Sequence, residues 1–364
     1  MESQLPNSLR RRLRVIRAIT TKDVVDAIKN KTTLAVILPV LFILVFYRFI
    51  PKIYGHDNQN TVYLYDSSER DVAIQLEDSL DLDLREVASE TALIQAVANS
   101  DVADIGVAIP SDFNSAEQDT LELDGYMIYW VPDAQRSETL AMVEQEFSTL
   151  LERPVEISLE GNTVFHNVDS DGLGFLASVS IVFTLVMIGI SFLPNLMLEE
   201  QKEETMKLLR VSPASPSDII IAKALTGLFY ALLLSALAWI LYSRVFINPL
   251  MTAGAFLLGS LLFILTGLLM GTLVKSRQQL IMVGWVIILP LLLPPYMEMM
   301  DDILPVGLLR TIRFIPSVAL ARLLRSSFTA HPDWAFYLSQ LSYLAVFVVI
   351  LFGLNVLGVR RLDR

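Results

Sequence analysis

Long apolar runs dictate what this chain can fold into. Runs of about 17–25 residues occupy Thr33–Phe49, Phe175–Leu198, Ile219–Tyr242, Leu250–Val274 and Phe336–Gly358, with a shorter one at Leu280–Leu293; as helices the longer ones reach across a hydrocarbon core about 30 Å thick. With 53% of 364 residues hydrophobic, the chain is too apolar for an ordinary soluble enzyme. A helix satisfies its own backbone polar groups, so such segments are stable in lipid where loops are not. Pro39 falls inside the first run, where neighbouring helices are expected to satisfy the freed carbonyl. Pro294-Pro295 is expected to end the shorter run Leu280–Leu293, the fifth in chain order.

Charge is distributed in two opposite populations. Residues 55–172 hold 26 Asp and Glu against 4 Lys and Arg, whereas the rest of the chain holds 13 acids and 24 bases. The simplest reading is a solvated acidic domain inserted into a basic membrane scaffold. Within the insert, Thr61–Tyr65, Leu84–Ala88 and Ile105–Ile109 read as strands. Asp71–Ser79, Thr91–Ala98 and Ser137–Leu151 read as helices, the last with Leu140, Val143, Phe147 and Leu151 on one face. Strands alternating with helices imply a small α/β domain, and its length is enough for a core of its own. The chain has no cysteine, which excludes disulfides, thiolate catalysis and cysteine metal sites.

Residues 8–31 place Arg10, Arg11, Arg12, Arg14 and Arg17 among Leu9, Leu13, Ile16, Val24 and Ile28. This spacing suggests a helix lying on the inner leaflet. Nucleic-acid binding is the rival use of such a run, set aside because a membrane span follows at once. No short apolar run with a small-residue cleavage site precedes that span, so the N-terminus is expected to stay attached and cytoplasmic. Residues 303–325 are apolar enough for a further span, yet they carry Arg310, Arg313, Arg322 and Arg325 with prolines at 305 and 316. Each arginine at the centre of a bilayer costs at least about 2.5–3.5 kcal/mol, so two short helices dipping into the outer face fit better. Six spans place both termini inside, beside Arg10–Arg17 and Arg360–Arg364, as the positive-inside rule favours.

Between the second and third runs lies Glu199-Glu200-Gln-Lys-Glu203-Glu204-Thr205-Met206-Lys207-Leu208-Leu209-Arg210-Val-Ser212-Pro213, a charged segment broken at Pro213 and Pro216. Ser215 reads as an N-cap for the third span, with Pro216 at its first position and Asp218 placed for a capping box. Lys223, one turn further in, is expected to snorkel to the headgroups. Through Glu200, Thr205, Leu208, Leu209, Val211, Ser212, Pro213, Pro216, Ile219-Ile220 and Lys223, the segment resembles the cytoplasmic coupling region of ATP-binding-cassette exporter permeases of the type-2 membrane-subunit family, the subgroup with a large extracytoplasmic insert. Glu204 departs from the small residue that the family often has there.

The resemblance implies a polytopic α-helical membrane protein. Six transmembrane helices (residues 1–54 and 173–364), re-entrant helices at 303–325 and an α/β extracytoplasmic domain (55–172) after the first span are expected. A coupling helix over 199–218, with Glu199 at its start, would meet an ABC ATPase subunit through Met206, Leu208 and Leu209, rimmed by Glu200, Glu203, Glu204, Lys207 and Arg210. Thr205, Ser212 and Pro213 complete that site. No Gly-x-x-x-x-Gly-Lys-Ser/Thr loop occurs, so ATP and Mg are expected in the partner and no cofactor in this chain. Six spans make too thin a wall to enclose a pathway, so a second permease subunit is expected, identical or not, in a prokaryotic plasma membrane. Gly267-x-x-x-Gly271 suits close helix packing, or is incidental.

Other sites are weaker. Asn167-Val-Asp169-Ser-Asp171-Gly172 begins like a calcium loop, but Ser178 stands where the bidentate glutamate belongs. His56, His166 and His331 lack paired ligand spacing, and no serine, histidine and acid grouping has the context of a hydrolase. Spans rich in Leu, Ile, Met and Phe favour a hydrophobic or amphiphilic cargo (drug, antibiotic or lipid-like). Sodium or other cation extrusion, and a non-transporting mechanical transmitter or sensor with a ligand-binding outer domain, are the alternatives.

Overall fold

The computed structural model describes residues 7–29, 31–54, 61–68, 82–100, 104–111, 120–165, 173–202, 215–298 and 304–362. Its contacts divide into two units, one of Met1–Phe46, Ser178–Ser327 and Pro332–Arg364, the other of Tyr47–Ala177 and Phe328–His331.

Helix α1 is Asn7–Lys29 and α2 is Lys31–Tyr54. Between Arg10–Lys29 and Leu34–Phe46 the chain bends by 78°. The buried stripe of α1 differs from the expected one. Ile19, Asp23 and Ala27 are buried, whereas Leu13 and Ile28 are 50% and 58% exposed. Spacing of four residues puts Ile19, Asp23 and Ala27 on one face, and that face is taken up by another helix of the same unit, described below.

In the second unit, strands β1 (Thr61–Asp66) and β2 (Asp83–Glu86) precede helix α3 (Glu90–Ala98), then β3 (Ile105–Ile109) and β4 (Leu121–Ile128). Helix α4 (Asp133–Leu150), β5 (Val155–Ser158) and β6 (Thr163–Val164) follow. The sheet order is β2-β1-β3-β4-β5, with β6 also paired to β4. The pairs β2–β1, β1–β3, β4–β5 and β4–β6 are parallel, and β3–β4 is antiparallel. Val62, Leu64, Ile105, Val107, Leu93, Val97, Val143 and Phe147 fill the core between sheet and helices. Gly106 lets α3 approach β3, since a Cβ there would lie 2.9 Å from Val97 Cγ2. Of the expected elements, Asp71–Ser79 and the calcium-like run 167–172 lie outside the described residues. Helix α4 starts at Asp133 rather than Ser137, because Pro132 is extended and an acid in the first turn suits the helix dipole. Ser100 Oγ donates to Asp104 Oδ2 at 2.8 Å in a buried corner. Burial pushes the Asp104 carboxyl above the usual carboxylate range, a shift that this hydrogen bond opposes.

The chain returns to the first unit through α5 (Leu173–Met187), a π-helical turn (Ile188–Phe192) and α6 (Leu193–Lys202). Then come α7 (Pro216–Leu241), α8 (Pro249–Leu273) and α9 (Arg277–Met297). Among the described residues, five helical stretches are long and apolar enough to cross a membrane: Gly174–Leu198, Ser217–Leu241, Pro249–Leu273, Arg277–Met297 and Trp334–Gly358. The bent pair at the N-terminus makes a sixth if it is taken as one crossing. Contrary to expectation, α9 runs through Pro290, Pro294 and Pro295 to Met297. The fixed φ of proline fits a helix, and the Glu298 N–H closes the last turn on the Pro294 carbonyl.

Residues 306–326 form two short helices, α10 (Val306–Ile312) and α11 (Pro316–Ser326). Glu298 bridges Arg322 and Arg325, with 2.5 Å from Arg325 Nη2 to Oε2, while Arg310 and Arg313 are exposed. The last helix, α12 (Trp334–Leu362), is tied to α8 by two hydrogen bonds. Tyr337 Oη donates to the Met251 carbonyl at 2.7 Å, and Asn355 Nδ2 donates to the Leu265 carbonyl at 2.8 Å.

Candidate functional site

The charged segment between α6 and α7 carries the sequence argument for a coupling site. Glu199 and Glu200 belong to the last turn of α6, so they continue the preceding span rather than begin a separate helix. Glu203, Glu204, Thr205, Met206, Leu208, Leu209, Ser212 and Pro213 lie outside the described residues. The helices on either side of the segment, α6 and α7, are packed against other elements of the same unit.

At its C-terminal side, Ser215 caps α7 as the sequence suggests. Its Oγ accepts from the Asp218 N–H at 3.2 Å, and Asp218 Oδ2 accepts from the Ser215 N–H at 3.0 Å. The reciprocal pair satisfies two orphan donors of the helix start. Asp218 has a second partner, Arg12 of α1, whose Nε and Nη2 donate to Oδ1 at 3.0 and 2.8 Å.

From that point α1 lies along α7 in successive contacts. Thr20 Oγ1 donates to the Ala222 carbonyl at 3.2 Å. Lys223 Nζ lies 3.3 Å from Asp23 Oδ2, with both side chains almost fully buried. Lys22 Nζ stands 3.8 Å from the other Asp23 oxygen. Tyr230 Oη donates to the Val24 carbonyl at 2.8 Å. Snorkelling of Lys223 is therefore corrected: α1 covers the face of α7 on which the lysine sits and offers it a carboxylate instead of headgroups. Asp23 is a partner that the sequence reading does not single out. Its signal is an acid four residues from Ile19 and from Ala27, on a helix face that is otherwise apolar.

Tyr230 also joins this ladder to the preceding span. The Phe192 ring, in the π-helical turn, meets the Tyr230 ring edge to face at 4.9 Å between centroids. That turn presses on α8. A Cβ on Gly267 would sit 1.8 Å from the Gly189 carbonyl oxygen, and one on Gly189 would sit 2.3 Å from the Phe263 carbonyl carbon. Gly271 lies against α6, where an added Cβ would be 2.8 Å from Met197 Sδ and 3.2 Å from Pro194 Cα. Two backbones this close need glycine on both sides. π turns break the regular hydrogen-bond ladder, and Asn195 Nδ2 supplies a donor to the Ser191 carbonyl at 2.7 Å. The helix that leads into residues 203–214 and the helix that leaves them are thus joined to α1 and α8 by specific contacts.

Long apolar helices and this packing define a multi-pass helical membrane protein. The chain belongs to the ABC-2 family transporter proteins, whose family model matches residues 31–357. Membership makes it a permease subunit of an ABC transporter, the component that associates with an ABC ATPase. No curated protein matches the chain.

Proposed function

We infer that this permease subunit exports a hydrophobic or amphiphilic substrate, driven by ATP hydrolysis in a separate ATPase chain. Residues 203–213 are the grip: Met206, Leu208 and Leu209 enter an apolar groove of the ATPase, with Glu203 and Glu204 at its charged rim. Residues 55–172 stand outside the membrane, both termini lie inside, and α10 and α11 enter the outer face as re-entrant helices. Two such subunits face each other across the pathway.

One observation carries the reading. The segment opens directly onto Ser215 and Asp218, and Asp218 begins the ladder that ties α7 to α1. Force applied at 203–213 reaches buried contacts within one helical turn, so it moves helices rather than dissipating in a loop.

The test is reconstitution of the chain with its ATPase in vesicles, with Leu208→Asp and Leu209→Asp combined. The double variant is expected to insert normally and to lose cargo-stimulated ATP hydrolysis and ATP-dependent efflux. Full stimulated turnover in the double variant would sink the assignment.

A further inference from the structure

Among the described residues, the face of α1 turned away from α7 has no partner. At 100° per residue, Arg10, Arg14, Arg17, Leu13, Val25 and Ile28 share it, and all six are exposed. No carboxylate lies on this face. Asp23 is buried against Lys223, and Asp26 sits on the flank with Lys22 at 3.5 Å. Arg12 projects from the opposite side toward Asp218, so it is spent on the protein.

We propose that this face of α1 binds anionic phospholipid headgroups, the arginines pairing with phosphates while Leu13, Val25 and Ile28 enter the acyl boundary. The occupant is chosen by three features. Three guanidiniums with no counter-acid among the described residues suit an anionic partner, and arginine takes phosphate bidentately. Interleaved apolar side chains demand a surface that is greasy just beneath its charge. The 78° bend between α1 and α2 is the angle expected where a helix lying in the membrane plane joins one that crosses it. Each arginine at such a surface weights anionic over neutral lipid by about fivefold.

The binding deepens the exporter reading and rests on it for its consequence, not for its chemistry. Because α1 is fixed to α7 just beyond residues 203–214, anionic lipid under α1 holds the receiving end of the lever in place. Coupling of ATP hydrolysis to transport therefore depends on the charge of the leaflet.

The natural chain has no cysteine, so Thr21→Cys on the exposed face gives one site for a fluorescent label. Labelled full-length chain is reconstituted in phosphatidylcholine vesicles containing about 30 mol % phosphatidylglycerol, a fraction giving a strongly negative surface. Either lipid is brominated in turn. Brominated phosphatidylglycerol is expected to quench the label beyond its mole fraction, and the triple variant Arg10→Gln, Arg14→Gln, Arg17→Gln is expected to abolish that preference. Quenching in proportion to mole fraction, a preference that survives in the triple variant, or no quenching by either lipid would overturn the proposal; the last points to a soluble acidic partner. Stimulated ATP hydrolysis measured in the same vesicles separates the two readings. Lipid preference without ATPase coupling would remove the exporter role alone, and coupling without lipid preference would remove this proposal alone.

Discussion

Lys223 and Asp23, 200 positions apart, meet as a buried ion pair with 3.3 Å between Nζ and Oδ2. The pair sits between Arg12–Asp218 and Tyr230–Val24 in the run of contacts that fastens α1 to α7. Desolvating two charges is costly, so such a pair adds less to stability than its geometry suggests. What it does is specify register: only one placement of α1 along α7 leaves neither charge alone.

Breaking one side should therefore hurt more than removing both. Lys223→Met leaves the buried Asp23 carboxylate with only the half-exposed Lys22 at 3.8 Å, a loss of up to about 3–5 kcal/mol. Asp23→Leu combined with Lys223→Met replaces the pair with apolar contact and should recover most of that. Thermal unfolding of the purified chain, followed by tryptophan fluorescence, reads the difference. A double variant as unstable as the single would show that the two charges do not act as a unit.

Gly267 should be the least replaceable glycine in the spans. A Cβ would meet the Gly189 carbonyl oxygen at 1.8 Å, and that atom is backbone within a packed turn. Gly267→Ala is expected to cost more than the usual range of about 1–3 kcal/mol for overpacking. At Gly271 the nearest atom is the flexible Met197 Sδ, so alanine there should be milder. Gly353→Ala, where nothing lies within 4 Å, is the neutral reference. Yield of monodisperse protein in detergent and its melting midpoint should rank the three variants in that order.

Much of the membrane architecture was legible because an apolar run long enough to cross a bilayer has few other uses. The Ser215–Asp218 cap was legible for the same kind of reason, since its chemistry is confined to four residues. Contacts between distant segments were not. Nothing local to Lys223 distinguishes a lysine that snorkels from one that finds Asp23, because the answer depends on where α1 lies. Pro294-Pro295 misled in the other direction: α9 continues through both, since their fixed φ is compatible with a helix that closes at Met297. In the acidic insert, β4 and β5 were overlooked although Leu121 and Leu123 alternate with Glu122 and Asp124, and Val155 and Ile157 with Glu156 and Ser158. Their period of two was present, but each run is short and heavily charged on its open side. Most of the coupling segment lies outside the described residues, so its legibility rests on motif and family.

Asp104 gives the insert a pH dependence whose sign follows from its burial. Its carboxyl is held above the ordinary value of about 3.9, chiefly because the charged form is desolvated. A raised acid favours folding fully below its unfolded pKa, and the contribution is lost as pH rises through the folded value. Asp104→Asn keeps an acceptor for the Ser100 hydroxyl and carries no charge to desolvate. The variant should thus be more stable than the natural chain near neutral pH, and the gap should close as pH falls toward about 4. Hydrogen exchange of the β1 and β3 amides in the full-length chain, variant against natural at each pH, measures it directly. Stronger protection in the natural chain at neutral pH would mean that the Asp104 carboxylate is stabilised by its surroundings, and the sign would have to be reversed.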